Sequence, residues 1–227
     1  MSNKKTTEIK LDERVNSYKE YLYEKTLNYL KNVIPERIQE FHKLSQKGDE
    51  NFKDDPIQNV LKKRKLESDN GFEAPSLENL MKINKKIIEA HTKLRKDYIE
   101  VIEIFSTIRA WIHMNIPRIE DGNNFGVDIQ EDVVATLTKL EDVYTTLLET
   151  CESYFTSRAQ YMKRALKYKE IDSYRHVIAQ IDEKEFIKFN FAYFDLANNY
   201  STTYSLIVKN FAKLEQPRPT NVTSSMF

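Results

Sequence analysis

Glycine is the residue that most limits what this chain can become: its 227 residues include only four, Gly48, Gly71, Gly122 and Gly126, in two clusters. A chain so poor in glycine has few places to adopt left-handed backbone angles or tight hairpins, so the long intervals outside the clusters are expected to be helical. The prolines agree. Pro56 and Pro75 lie in the first cluster, Pro117 opens the second, and Pro217 and Pro219 stop the last helical pattern. Pro35 alone sits inside a helical run, where a kink is expected.

Hydrophobic spacing fills those intervals with rods. From about 77 to 112, Leu77, Asn84, His91, Tyr98, Phe105 and Ile112 repeat by sevens, with Leu80, Ile87, Leu94, Val101 and Ile108 at the second seam position. Val133, Leu140, Leu147, Tyr154 and Tyr161 form a third run, with Leu137, Tyr144 and Cys151 interleaved, and Phe186, Tyr193, Tyr200, Ile207 and Leu214 form a fourth. The first, about 8 to 45, carries Val15, Tyr18, Leu22, Leu27, Leu30, Ile34, Ile38 and Phe41 at helical spacing. Rods approaching 40 residues would each be about 60 Å long. Four of them predict an all-α fold, a single antiparallel four-helix bundle spanning 1–227. Ser76 is a candidate N-cap for the second rod. Residues 46–75, rich in charge, Asn and Asp and without lasting period, are expected to be a mobile linker. Phe189, Phe191 and Phe194 lie beyond a single apolar stripe, which implies surface to bury against further copies.

Composition excludes several functions. The 35 Lys and Arg cancel the 35 Asp and Glu, leaving no whole-chain field for a nucleic acid or membrane surface. Twelve Phe and thirteen Tyr point to an ordered core despite the 31% of charged residues. A single cysteine, Cys151, rules out a disulfide framework or a multi-cysteine metal site within one chain, and reads as a packed thiol. No window approaches the roughly 18 apolar residues of a membrane span, and the N-terminus lacks a signal-peptide core, so an intracellular protein is expected. No pair among His42, His91, His113 and His176 has the i, i+4 spacing of a helical zinc site. Neither a P-loop nor a nucleophile elbow is present, and acidic pairs such as Glu131 and Asp132 read as solvated faces. No enzymatic activity, metal or cofactor is expected.

One segment stands apart. Met114 to Asp132, MNIPRIEDGNNFGVDIQED, concentrates turn formers between two rods. A calcium loop counted from Asp121 would place Phe125 fifth and Asp132 twelfth, which lack the required oxygen and bidentate glutamate. A phosphate cradle would need a preceding strand and a following lysine. What remains is an ordered, protruding loop suited to contact with a protein partner.

The run IPRIEDGNNFGVDIQED resembles the activation loop of the 11S proteasome activators, the REG family. LKKRKLES in the linker, IDEKEF at 181–186 and IVKNFAKLEQPR at 207–218 extend the resemblance, in order, to the gamma-type member, as does the absence of a Lys/Glu-alternating insert. The resemblance implies a four-helix bundle assembled into a homo-oligomeric heptameric ring, which caps the 20S proteasome α-subunit ring and opens its gate without ATP. It implies a gate-opening loop at about 117–127, made of Arg118, Ile119, Glu120, Asp121, Gly122, Asn123, Asn124, Phe125 and Gly126, with Arg118, Glu120 and Asp121 as charged contacts. It implies a docking tail at about 217–227 ending in Ser225, Met226 and Phe227, the Phe227 carboxylate pairing with a pocket lysine. Gamma-type members end in Tyr where this chain has Phe227. From the residues alone, TNVTSSMF suits a reaching tail or a frayed end equally. Lys62, Lys63, Arg64 and Lys65 read as a nuclear-import signal, placing the protein in the nucleus with the cytoplasm as a second location. The alternative from another class is a helical scaffold or adaptor without gating activity.

Overall fold

The first rod starts at Asp12, whose carboxylate accepts from the Arg14 amide at 2.9 Å and so satisfies one of the amides that a helix start leaves unpaired. The computed structural model describes residues 11–46, 76–82, 85–120 and 122–218. Within them α1 is Glu13–Asn28, followed by one π turn, Tyr29–Val33, and by α2, Ile34–Gln46. The short α3 is Leu77–Met81, α4 is Lys85–Asn115, α5 is Phe125–Thr150, α6 is Ser153–Lys167 and α7 is Asp172–Glu215. No strand occurs among the described residues.

These elements make four rods packed as one antiparallel bundle. The first rod, α1 through α2, runs against α4, with Lys25 to Glu103 at 2.9 Å near one end and Lys93 to Glu40 at 2.9 Å further along. It also lies against α7, where Phe41 meets Tyr193 and Tyr200. The third rod, α5 and α6, bridges the other side, with Arg109 bidentate to Glu141 on α5 and Asn199 of α7 donating to the Tyr144 hydroxyl at 2.9 Å. Of the residues expected at the seams, Ile87, Leu94, Tyr98, Val101, Phe105, Ile108, Leu137, Tyr200 and Ile207 are buried in one continuous core, Leu80 is buried in a smaller cluster with Ala165 and Ile178, and Val15, Tyr18 and Leu147 are exposed.

Departures from the expected rods have local causes. The irregularity expected at Pro35 is a π turn just before it, in which the Ile34 amide donates to the Tyr29 carbonyl five residues back. That wider turn suits a proline, which has no amide and crowds the preceding turn. The second rod is not continuous: after α3, capped by Ser76 as expected, Lys82 is extended. Its carbonyl and that of Leu80 accept from Arg158 on α6, at 3.3 and 2.8 Å. Arg158 is buried and also pairs with the buried Asp182 of α7, which accepts from Tyr154 as well. A desolvated guanidinium needs this many acceptors, and freeing two carbonyls from a helix supplies them. The third rod is interrupted at Cys151 and Glu152, and α7 begins at Asp172, well before its seam becomes regular. Phe189 is covered within the bundle, whereas Phe191 and Phe194 are exposed. The linker, except Gln46 at the end of α2, lies outside the described residues, as does Asn84.

One buried acid is poorly served. Asp97 on α4 is buried, and its Oδ2 has no hydrogen-bond partner among the described residues. Burial pushes its pKa from 3.8 up to about 6, against the pull of Lys93 and Arg37. A raised carboxyl stabilises the fold when protonated: its contribution is full below pH 3.8 and is lost as pH rises through about 6. Asp97→Asn should therefore stabilise the protein by about 1–2 kcal/mol near neutral pH and by much less near pH 4. Urea melts at fixed protein concentration at both pH values check this, and equal gains would refute it.

A candidate contact surface at the loop end of the bundle

The end of the bundle where α4 passes to α5 is also where α7 stops. Trp111 of α4 stacks on Phe211 of α7 and meets Tyr23 of α1, closing the core with aromatic rings just below the loop. Pro117 follows α4, and the backbone then turns over through Gly122 at φ 83 and Asn123 at φ 50. Both lie in the left-handed region, which glycine enters freely and asparagine tolerates better than most residues. The turn chemistry expected of Gly122 and Asn123 is thus present.

The structure redraws the edges of the expected loop. Phe125 and Gly126 belong to the first turn of α5, because Asn124 is the N-cap and its carbonyl accepts from the Asp128 amide at 2.9 Å. Ile119 is fully exposed and Phe125 is 71% exposed, so the surface offers apolar side chains on both sides of the turn. Arg118 pairs with Glu120, and that partner, with Arg218 beyond it, holds the Glu120 carboxyl below its usual range. Asp121 lies outside the described residues, as do Lys62, Lys63, Arg64, Lys65, Pro219, Ser225, Met226 and Phe227.

The start of the expected tail is not free. Pro217 is buried, and a Cβ on Gly126 would fall 2.0 Å from its carbonyl oxygen, so only glycine fits there. Gln130 of α5 donates from Nε2 to the Leu214 carbonyl at 2.8 Å, in a buried contact. Arg218 donates from Nη1 to the Arg118 carbonyl at 2.8 Å and from Nη2 to Asn124 Oδ1 at 2.9 Å. Helical periodicity gave no sign of Gln130, Pro217 or Arg218. The available signal was Gly126 itself: glycine inside a helical turn that needs no unusual angle marks a close approach of other backbone.

Such a molecule is a bundle of long helices with a braced loop beside the point where the chain leaves its last helix. No group of three His, Cys, Asp or Glu side chains able to hold a metal occurs among the described residues, and none of their helices is long and apolar enough to cross a membrane. The family described as proteasome activator PA28, C-terminal, matches residues 80–224, and the chain belongs to that family. Proteasome activator 28 of Dictyostelium discoideum is 57% identical over 224 residues, covering 99% of each chain. Human proteasome activator complex subunit 3 is 34% identical over 167 residues, covering 71% of this chain and 66% of that protein. Among solved structures, the 11S subunit of the Plasmodium falciparum proteasome, PA28, superposes with a TM-score of 0.73 at 30% identity, covering 95% of this chain and all of that one. A chain from the complex of the yeast 20S proteasome with the activator PA26 from Trypanosome brucei shares the fold, with a TM-score of 0.71 at 17% identity over 92% of this chain and 98% of that one. The family is one of proteasome activators, not a family of catalytic enzymes.

Proposed function

We propose that this protein is an ATP-independent activator of the 20S proteasome. Seven copies form a ring that docks on the α-subunit ring through C-terminal tails ending in Ser225, Met226 and Phe227. The loop Arg118 to Gly126 then biases the gate toward its open state. The observation that carries this reading is the shared end: the loop and the chain leaving α7 meet through Arg218, so a ring of parallel copies presents both on one face. Avidity supplies the affinity, since each tail after the first binds intramolecularly. Opening needs contacts that differ between the closed and open gate, which a braced loop can make. The exposed Phe191 and Phe194 offer apolar surface for contacts between copies.

Within the family we assign the chain to the gamma type, on LKKRKLES, IDEKEF and IVKNFAKLEQPR, and to the nucleus, on Lys62, Lys63, Arg64 and Lys65. Native mass spectrometry should give a particle of about seven 26.9 kDa chains. Adding it to 20S proteasome should raise peptide hydrolysis without ATP. A monomer in solution would sink the ring, and a ring that binds without stimulating would leave a scaffold.

A further inference from the structure

Arg218 lies beyond the end of α7 and just after a proline, where a solvated side chain would be ordinary, yet its side chain is only 16% exposed. Its guanidinium reaches three residues of the loop: the Arg118 carbonyl, Asn124 Oδ1 and, at 3.2 Å, Glu120 Oε2. Arg118 stands on the incoming limb and Asn124 at the start of α5, so one planar group ties both limbs across the turn at Gly122 and Asn123. A guanidinium suits this task because its donors are fixed in a fork, whereas an ammonium is a single point charge.

Asn124 shows that the tie displaces another interaction. At an N-cap its side-chain oxygen would ordinarily accept an amide of the first helical turn, but here it makes no capping bond and serves Arg218. Its amide nitrogen bonds back to the Glu120 carbonyl at 3.5 Å. Under the clamp, Pro217 fills the space left by Gly126, and Gln130 holds Leu214. The chain from Leu214 to Arg218 is therefore the floor on which the loop stands.

We propose that Arg218 is a positioning residue for gate opening: it holds the two limbs in the working shape and joins the loop to the segment that continues into the tail. Docking force and loop placement then form one mechanical unit. This rests on the docking and opening roles given above, and the experiment separates the two.

Rings of wild type, Arg218→Ala, Arg218→Lys, Asn124→Leu and the Arg218→Ala/Asn124→Leu pair are titrated into 20S proteasome, after native mass confirms assembly. Peptide hydrolysis gives a plateau, which reports opening, and a half-saturating ring concentration, which reports docking. Arg218→Ala should lower the plateau about tenfold, within the usual range of coupling between linked sites, and leave half-saturation within about threefold. Arg218→Lys keeps a charge near Glu120 but cannot span both limbs, and should stay well below the wild-type plateau. The pair should lose less than the sum of the two single losses, because both changes break the shared Arg218–Asn124 contact.

An unchanged Arg218→Ala plateau overturns the proposal. So does a loss confined to half-saturation, which would make Arg218 an ordinary tail residue, or additive losses in the pair. Failure of Arg218→Ala to assemble overturns it too, by making the residue structural. A wild-type ring that does not stimulate overturns the underlying activator reading and the proposal with it.

Discussion

Removing Thr223 to Phe227 should leave a ring of unchanged mass that no longer binds the 20S particle. Among the described residues α7 stops at Glu215, Leu214 is its last buried seam position, and the chain is fixed to the loop by Pro217 and Arg218. The cut therefore spares every contact described within the bundle. Its effect on docking is multiplied by avidity, since each tail lost removes an intramolecular binding event, and the loss of affinity should be about 100-fold or more. Co-sedimentation with 20S proteasome measures the binding, and native mass measures the ring. A truncated ring that still co-sediments would refute tail docking. A ring that falls apart would show that the terminus is structural.

Asn123→Tyr should reverse that pattern, with docking intact and stimulation lost. Asn123 sits at φ 50, a conformation that costs a bulky L-residue about 1–2 kcal/mol. That penalty lowers the population of the working loop by about 5- to 30-fold. The same change removes an amide at the exposed crest, where a partner would meet it. Gly122 and Asn123 are exposed, so helix content and ring mass should hold. Asn123→Gly is the matched control, because glycine adopts the same angle freely. If Asn123→Gly stimulates like wild type, the residue serves the turn; if it fails as Asn123→Tyr does, the amide itself makes the contact. Full stimulation by Asn123→Tyr would remove Asn123 from the mechanism.

The bundle was legible because it rests on repeated, redundant signals. Sparse glycine and the seams through Ile87, Leu94 and Val101, and through Tyr193, Tyr200 and Ile207, specify rods, and these residues are buried as expected. The breaks were not legible, because each answers a residue distant in sequence. Lys82 leaves the helix for Arg158, and no periodicity near Lys82 encodes a guanidinium on another rod. The loop was readable as a turn from Gly122 and Asn123 and as a functional device from its resemblance to a family. Its support from Gln130, Pro217 and Arg218 was not, since pairings across 84 to 100 residues are tertiary facts. Gly126 carried half of that information, marking a close approach without naming the partner.

The contact between Gly126 and Pro217 also bears on how such proteins can be rebuilt. With no room for a Cβ at position 126, and with the Asn124 side chain committed to Arg218, the loop is not a cassette that can be lifted out at its two ends. A graft of residues 117–127 alone onto another helical bundle would arrive without its underside. The transferable part is discontinuous: the hairpin from Arg118 to Gln130 together with Leu214 to Arg218, two stretches that must be exchanged as a pair.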